Sequence, residues 1–312
     1  MARRKSDIAH NEAPDTHVVG EGVQLDLFVP LGAPDCPVKD DNTSMELPLF
    51  SLSKNKDLRI REYTRGGRFV KIIPSVVGAA TQFDKDLLIY AVSRIVQAKE
   101  EGQPVSRRIR IETFPFLTAT NRSLGGAAYT RMIGTCTRLK GTTIVTNIKS
   151  TAEESTEGFG LIDDFKVTRR TKNGKGALEV EITVSEWLYR ATLANDILTL
   201  NPEYFSLSQP LERRLAELSR KHCGDKVFWK IGIGLLHEKT GSQQSARRFK
   251  QELKDIIEAN RLPDYRVALD ESRGRCDVVF ITKNNRKLFL EMVKGENALW
   301  LQSLAMRQSP LA

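Results

Sequence analysis

Basic and amide side chains recur at helical spacing shortly after position 240, and they are the strongest candidates for chemistry in this chain. The set consists of Gln244, Arg247, Arg248, Lys250 and Lys254. Side chains three and four residues apart share one face of a helix. An arginine can donate two parallel hydrogen bonds to guanine O6 and N7, while a lysine anchors phosphate. The pattern therefore indicates contacts to duplex DNA, and the alternative is an ordinary solvated helix face.

A helix must hold these side chains outward, and the sequence predicts one from Ser242 to about Asn260. Ser242 is a good N-cap, because its hydroxyl can accept a hydrogen bond from a free amide of the first turn. An apolar stripe at helical spacing would bury the opposite face. The stripe comprises Ala246, Phe249, Leu253, Ile256 and Ile257.

The neighbouring elements predict how this helix is presented. An earlier helix is expected from Val227 to Glu238, and strands are expected at 265–269 and 277–282. Arg273 and Arg275 lie in the turn between the two strands. Two helices, a short turn and a β-hairpin describe a winged helix, whose second helix lies in the major groove while the wing touches the flanking backbone.

A similar order of elements is predicted nearer the N-terminus. Helices are expected from Asp84 to Val96, over Thr113–Thr120 and from Ser123 onward, with Arg131, Thr135 and Arg138 sharing an outward face of the last one. Strands are expected at 108–112, 142–148, 160–168 and 178–184. An Asn-Gly pair at 173–174 favours a hairpin between the last two strands. This half is therefore predicted to be a winged helix with an enlarged wing.

Composition supports a polyanionic partner. The 312 residues contain 48 Lys and Arg against 39 Asp and Glu, which gives a net charge of +9. Residues 1–55 hold 5 basic and 9 acidic side chains, so the excess of positive charge lies in the remainder. Neutralising phosphates releases counterions and favours binding.

The predicted fold class is α+β, with two winged-helix domains in tandem after a disordered N-terminal leader. The leader is rich in Pro, Asp, Asn and Gly, and its apolar residues show no sustained helical or strand period. The predicted divisions are a leader at 1–57, domain one at 58–202, domain two at 203–290 and a C-terminal tail at 291–312.

Enzymatic and membrane functions find no support in the sequence. The histidines are isolated, the four cysteines lack metal spacing, and Gly174-Lys175-Gly176 lacks the second half of a phosphate-binding loop. No apolar run approaches the ~18 residues that span a bilayer. We therefore predict a cytoplasmic protein that is not an enzyme and uses no metal or cofactor. An active site assembled from distant residues stays open.

The leader contains a short peptide that resembles a known docking motif. Gln24, Leu25, Asp26, Leu27 and Phe28 match all five positions of the pentapeptide by which bacterial polymerases and their accessory proteins bind the sliding clamp. Residues 46–50 are a poorer copy, because Glu46 and Pro48 differ from the residues that the motif has at those two positions. The alternatives are that these apolar islands pack on the protein itself or match by chance.

Taken together, the chain resembles plasmid replication initiators of the replication initiator A group. The segments that carry the resemblance are 58–63, 83–90 and 239–250. The resemblance implies binding to directly repeated origin sites (iterons) and opening of an adjacent AT-rich region. It also implies recruitment of the host initiator and replicative helicase, and a switch between a homodimer and a monomer. The alternatives are a winged-helix transcriptional regulator without a replication role and a metal-dependent nicking initiator.

Overall fold

The computed structural model describes residues 37–65, 67–122, 127–147, 156–172, 175–272, 274–295 and 297–306. The chain is a mixed α/β protein. Its first half contains β1 Lys39–Asp41, α1 Asn42–Glu46, β2 Arg61–Arg65, β3 Arg68–Ile73, α2 Lys85–Glu100, β4 Arg108–Glu112, α3 Thr113–Ala119, α4 Ala128–Gly141, β5 Thr143–Thr146, β6 Glu157–Gly160, β7 Ile162–Lys172, β8 Lys175–Val184, α5 Glu186–Leu193 and β9 Ile197–Thr199. After a 3₁₀ turn at Pro202–Ser206, its second half contains α6 Pro210–His222, β10 Phe228–Gly232, α7 Ile233–Thr240, α8 Ala246–Ala259, β11 Tyr265–Asp270, β12 Asp277–Thr282, α9 Asn285–Lys294 and α10 Ala298–Met306.

Both halves contain a three-stranded antiparallel sheet of the same kind. The strand order is β4-β8-β7 in the first half and β10-β12-β11 in the second. In each half the sheet strands alternate along the chain with helices in the order helix, strand, two helices, two strands. The first half adds a four-stranded sheet of order β2-β3-β5-β6.

The helix predicted from Val227 to Glu238 is wrong in its first part. Phe228–Gly232 is strand β10, which pairs antiparallel with β12, and only Ile233–Thr240 is helical. Short apolar runs fit a strand as well as a helix by periodicity alone. Here pairing with the edge of the β11–β12 hairpin decided in favour of the strand.

The prediction that residues 1–57 form a disordered leader is wrong for residues 37–57. Val38, Met45, Leu49 and Phe50 are buried in the main core. β1 pairs with β9, and α1 packs against α6. The apolar residues of this segment have no regular period because most of it is neither helix nor strand. We call residues 38–51 the N-terminal strap.

Two arginines, one from each half, satisfy the backbone of the strap. Arg61 donates to the carbonyl oxygens of Pro48, Leu49 and Phe50 at 2.9–3.1 Å. Arg214 donates to those of Ser44, Met45 and Glu46 at 3.0–3.1 Å. Carbonyl groups in the last turn of a helix, such as those of α1, and carbonyl groups outside regular structure have no backbone partner, and leaving them buried and unpaired is costly. Because Leu49 and Phe50 are core residues, the poorer copy of the docking peptide at 46–50 packs on the protein itself.

One continuous hydrophobic cluster extends through both halves. It includes Ile89 and Val92 of α2, Leu215 of α6 and Phe249 of α8. A smaller cluster unites Ala268, Val279 and Ile281 with two residues of α10, Leu301 and Leu304. The two halves, which were predicted as two tandem domains, therefore share one core.

Charged side chains are buried where the two halves and the strap meet. Lys85 of α2 is 0% exposed and lies 2.6 Å from Asp40 and 3.1 Å from Glu217. Burial alone would lower the pKa of Lys85, but the surrounding carboxylates, Asp40 first, raise it above its usual value. Nearby, Arg213 of α6 lies 2.5 Å from Asp86 of α2. These ion pairs fix how α2 packs against α6.

Candidate nucleic-acid interface

Helix α8 is anchored by its apolar face. Phe249, Leu253 and Ile256 are buried, as the periodicity predicted, and Ile257 is half-buried. Ala246, predicted to be buried, is exposed because α8 begins there. Its N-cap is not the predicted Ser242 but Ser245, whose hydroxyl accepts a hydrogen bond from the Arg248 amide at 3.4 Å.

The first two and a half turns of α8 present basic side chains to solvent. Arg247, Arg248 and Lys254 are exposed. The acidic residues Asp255 and Glu258 come later on the helix and are also exposed. A helix N-terminus carries a partial positive charge. The positive end of α8 is therefore its N-terminal half, which is also the end that enters a groove in helix-turn-helix proteins.

Two of the predicted contact residues are tied to neighbouring acids. Gln244 is exposed, and its amide donates to Glu252 at 2.7 Å. Lys250 forms an ion pair at 2.8 Å with Glu271, which lies just beyond β11. Glu271 also raises the pKa of Lys250 through this hydrogen bond. The pair joins α8 to the turn of the β11–β12 hairpin, so helix and hairpin form one continuous surface.

Arg275 places a further positive charge at the end of this hairpin. Its side chain is 68% exposed, and its Nε lies 3.0 Å from an Asp277 carboxylate oxygen. Arg273, the other arginine predicted to act here, lies outside the described residues.

The prediction of a shared outward face on α4 is wrong for Thr135. Thr135 is only 4% exposed, and its hydroxyl donates to the Asp84 carboxylate at 2.8 Å. Arg138 is half-buried and donates to both oxygens of the same carboxylate, at 2.8 and 2.7 Å. Arg131 is exposed, as predicted. Met132 and Leu139 of α4 are buried as well, so Thr135 and Arg138 lie on a flank that packs inward, and the exposed surface of the helix lies elsewhere.

Sequence reasoning missed two features of the first half. The exposed side of α4 carries Thr130, with Gly134 and Thr137 half-exposed beside it. The β7–β8 hairpin stays paired as far as Lys172 and Lys175, with Arg169 and Arg170 shortly before its end. The basic residues around the Asn-Gly turn were visible in the sequence, but only their turn geometry was used.

Comparison with known proteins gives these surfaces a context. The sequence model of the family described as Replication initiator protein A matches residues 39–267. The chain belongs to this family. A putative replication protein from Wigglesworthia glossinidia brevipalpis is 37% identical over 231 residues, which are 73% of this chain and 84% of that protein. The resemblance to replication initiator A proteins is thus confirmed.

Solved structures resemble the fold of this initiator. Two crystal structures of domains 2 and 3 of RctB match with TM-scores of 0.59 and 0.54. They are 12% and 13% identical, cover 77% and 79% of this chain, and are themselves covered to 98% and 99%. Identities this low concern the fold alone.

The family match has informative boundaries within this initiator. It begins at Lys39, the first residue of β1, so it includes nearly all of the N-terminal strap. It ends at Val267 inside β11, so β12, α9 and α10 lie beyond it. In the described residues no group of three or more His, Cys, Asp and Glu side chains could hold a metal ion. None of the helices in that part of the chain is both long and apolar enough to cross a membrane.

Proposed function

We propose that this replication initiator binds repeated double-stranded sites (iterons) at a plasmid origin, and that each half of the chain is a winged helix. The observation that carries the proposal is the basic N-terminal part of α8, which a buried apolar stripe holds outward beside the β11–β12 hairpin. The repeated order of helix, strand, two helices and two strands supports an equivalent role for the first half.

Each basic side chain has a distinct task in this proposal. Arg247 and Arg248 read guanine edges in the major groove, each bidentate pair giving about 1 to 3 kcal/mol of discrimination. Lys254 and Arg275 bind phosphates, which gives affinity without sequence preference. In the first half Arg131 is the exposed candidate on α4, and the basic β7–β8 hairpin takes the place of the wing.

Base reading by α8 is tested with a double variant, Arg247→Ala/Arg248→Ala. Both side chains are exposed, so the fold should survive while repeat-specific binding is lost. Fluorescence anisotropy with origin and scrambled duplexes measures the ratio of the two affinities. Arg190→Ala is the matched control, because Arg190 is 76% exposed and lies on α5. Unchanged specificity in the double variant would count decisively against this placement.

We propose in addition that residues 24–28 bind the bacterial sliding clamp. The proposal is supported by the sequence match alone, because this peptide lies outside the described residues. Leu27 and Phe28 would fill an apolar cleft and Gln24 would bond at its rim. Through the same resemblance, the host initiator and replicative helicase are proposed as further partners, and a homodimer as a second state.

The clamp proposal is tested by retention of the full chain on immobilised clamp. Leu27→Ala/Phe28→Ala should abolish retention. Leu58→Ala/Ile60→Ala is the matched control, since both residues are apolar and more than half exposed. If the wild type itself is not retained, the leader has no such partner.

A further inference from the structure

The carboxylate of Asp270 organises the base of the β11–β12 hairpin. Its Oδ1 accepts hydrogen bonds from the Ser272 amide at 3.1 Å and the Ser272 hydroxyl at 2.6 Å. Its Oδ2 lies 2.6 Å from Lys230 Nζ of β10, which also pairs with Asp277 across the hairpin at 3.1 Å. The first residues of the turn are therefore held through one buried side chain.

Helix α10 reaches the same carboxylate through Trp300. The indole Nε1 donates to Asp270 Oδ2 at 3.1 Å. The ring packs edge-on against Phe228 with centroids 5.0 Å apart, and Lys230 Nζ lies 5.5 Å from its centre. Leu301 and Leu304 bury the helix against the outer face of the sheet. Trp300 thus contacts both Asp270 and Lys230, the cation that pairs with it.

We propose that Trp300 is a positioning residue for the DNA contact made by the β11–β12 hairpin. By donating to Asp270, Trp300 fixes the carboxylate that shapes the turn of the hairpin. The turn then places Arg275, and it places Glu271, which pairs with Lys250. The proposal rests on the proposed function in one respect, namely that this hairpin touches DNA. It assigns the C-terminal helix, which lies beyond the family match, a role in the nucleic-acid interface.

Hydrogen exchange in the full chain tests the positioning step without DNA. Trp300→Phe keeps a ring against Phe228 and removes only the N–H donor. The Ser272 amide should then exchange faster by roughly tenfold, because the Asp270 carboxylate that accepts its hydrogen bond is no longer fixed by the Trp300 donor. Trp187→Phe is the matched control, since Trp187 stacks on Phe159 in the first half. Unchanged exchange at residues 270–276 would overturn the proposal.

The salt dependence of binding to origin DNA tests whether Trp300 affects the phosphate contact proposed for Arg275. Loss of one phosphate contact reduces the slope of log K against log salt by about 0.9. Arg275→Ala should show this reduction, Trp300→Phe should show most of it, and the double variant should lose no more than Arg275→Ala alone. Additive losses would mean that Trp300 acts independently of the hairpin, which would contradict the proposal.

The two measurements also separate this inference from the proposed function. If exchange rises in Trp300→Phe while neither Trp300→Phe nor Arg275→Ala changes the salt slope, Trp300 positions a hairpin that does not bind DNA. That result would support the positioning step and refute its use in DNA binding.

Discussion

At the scale of single residues, Asp84 acts differently from what its position indicates. It stands at the N-cap of α2, yet its side chain makes no capping hydrogen bond. The carboxylate instead accepts from Thr81 in its own turn and from Thr135 and Arg138 on α4. A cap residue can be predicted from sequence, but the helix that competes for its oxygens is known only once the chain has folded.

This arrangement predicts that two arginines on α4 differ in how much they contribute to stability. Arg138→Ala should lower the free energy of unfolding by about 2 kcal/mol or more, because it leaves the buried Asp84 carboxylate with fewer donors. Arg131→Ala should change it by less than about 0.5 kcal/mol, as expected for an exposed position. Urea denaturation followed by circular dichroism measures both.

DNA affinity gives the complementary readout for the same pair. Arg131→Ala should weaken binding to origin DNA in a folded protein. If Arg138→Ala were as stable as the wild type and reduced only DNA binding, the assignment of Arg138 to internal packing would be wrong.

At the scale of elements, the turn between α7 and α8 is packed directly on the strap. Gly241 ends α7 with a φ of +72°, a conformation that favours glycine. A Cβ at this position would lie 2.6 Å from Pro48 Cβ and 3.1 Å from the Tyr63 hydroxyl. The glycine therefore serves both the turn and the close approach of the first half. Only the turn was evident in the sequence, since nothing there brings residue 48 to residue 241.

Gly241→Ala should separate these two roles when it is compared with Gly102→Ala. Gly102 has a φ of +67° and nothing within 4 Å of an added Cβ. The free energy of unfolding of Gly102→Ala should therefore fall by only about 1 to 2 kcal/mol, which is the cost of backbone strain. Gly241→Ala should lose clearly more, because the clash with Pro48 is added. Chemical denaturation of both variants gives the comparison, and equal losses would show that the strap yields freely.

At the scale of the whole molecule, the shared core and the buried ion pairs make the two halves one unit. The strap, α2 and α6 contribute the charged side chains at the junction, and these elements are far apart in sequence. Groups that pair across a junction of this kind fix one arrangement, because any other leaves a charge buried without a partner. The two surfaces proposed to bind DNA, on α4 and on α8, are therefore held in a constant relation to each other.

Lys85→Met should show how strongly the junction depends on its central cation. The variant leaves Asp40 and Glu217 buried without the lysine, which should cost about 3 to 5 kcal/mol. Lys99→Met, on the same helix but at an exposed position, should cost less than about 1 kcal/mol. Thermal unfolding of both variants measures the difference. A small loss in Lys85→Met would show that the carboxylates are neutralised by other means.

The sequence by itself determined the periodic parts of this protein. It predicted the buried stripe of α8, the exposed Arg247 beside it and the strands of the β11–β12 hairpin, because periods of 3.6 and 2 are properties of local backbone geometry. The tertiary structure alone decided which contacts form between elements that are distant in the chain. The strap at 38–51, the inward turn of Thr135 and the bond from Trp300 to Asp270 depend on partners distant in the chain. Such contacts leave no spacing to read, since they arise only where separate elements meet.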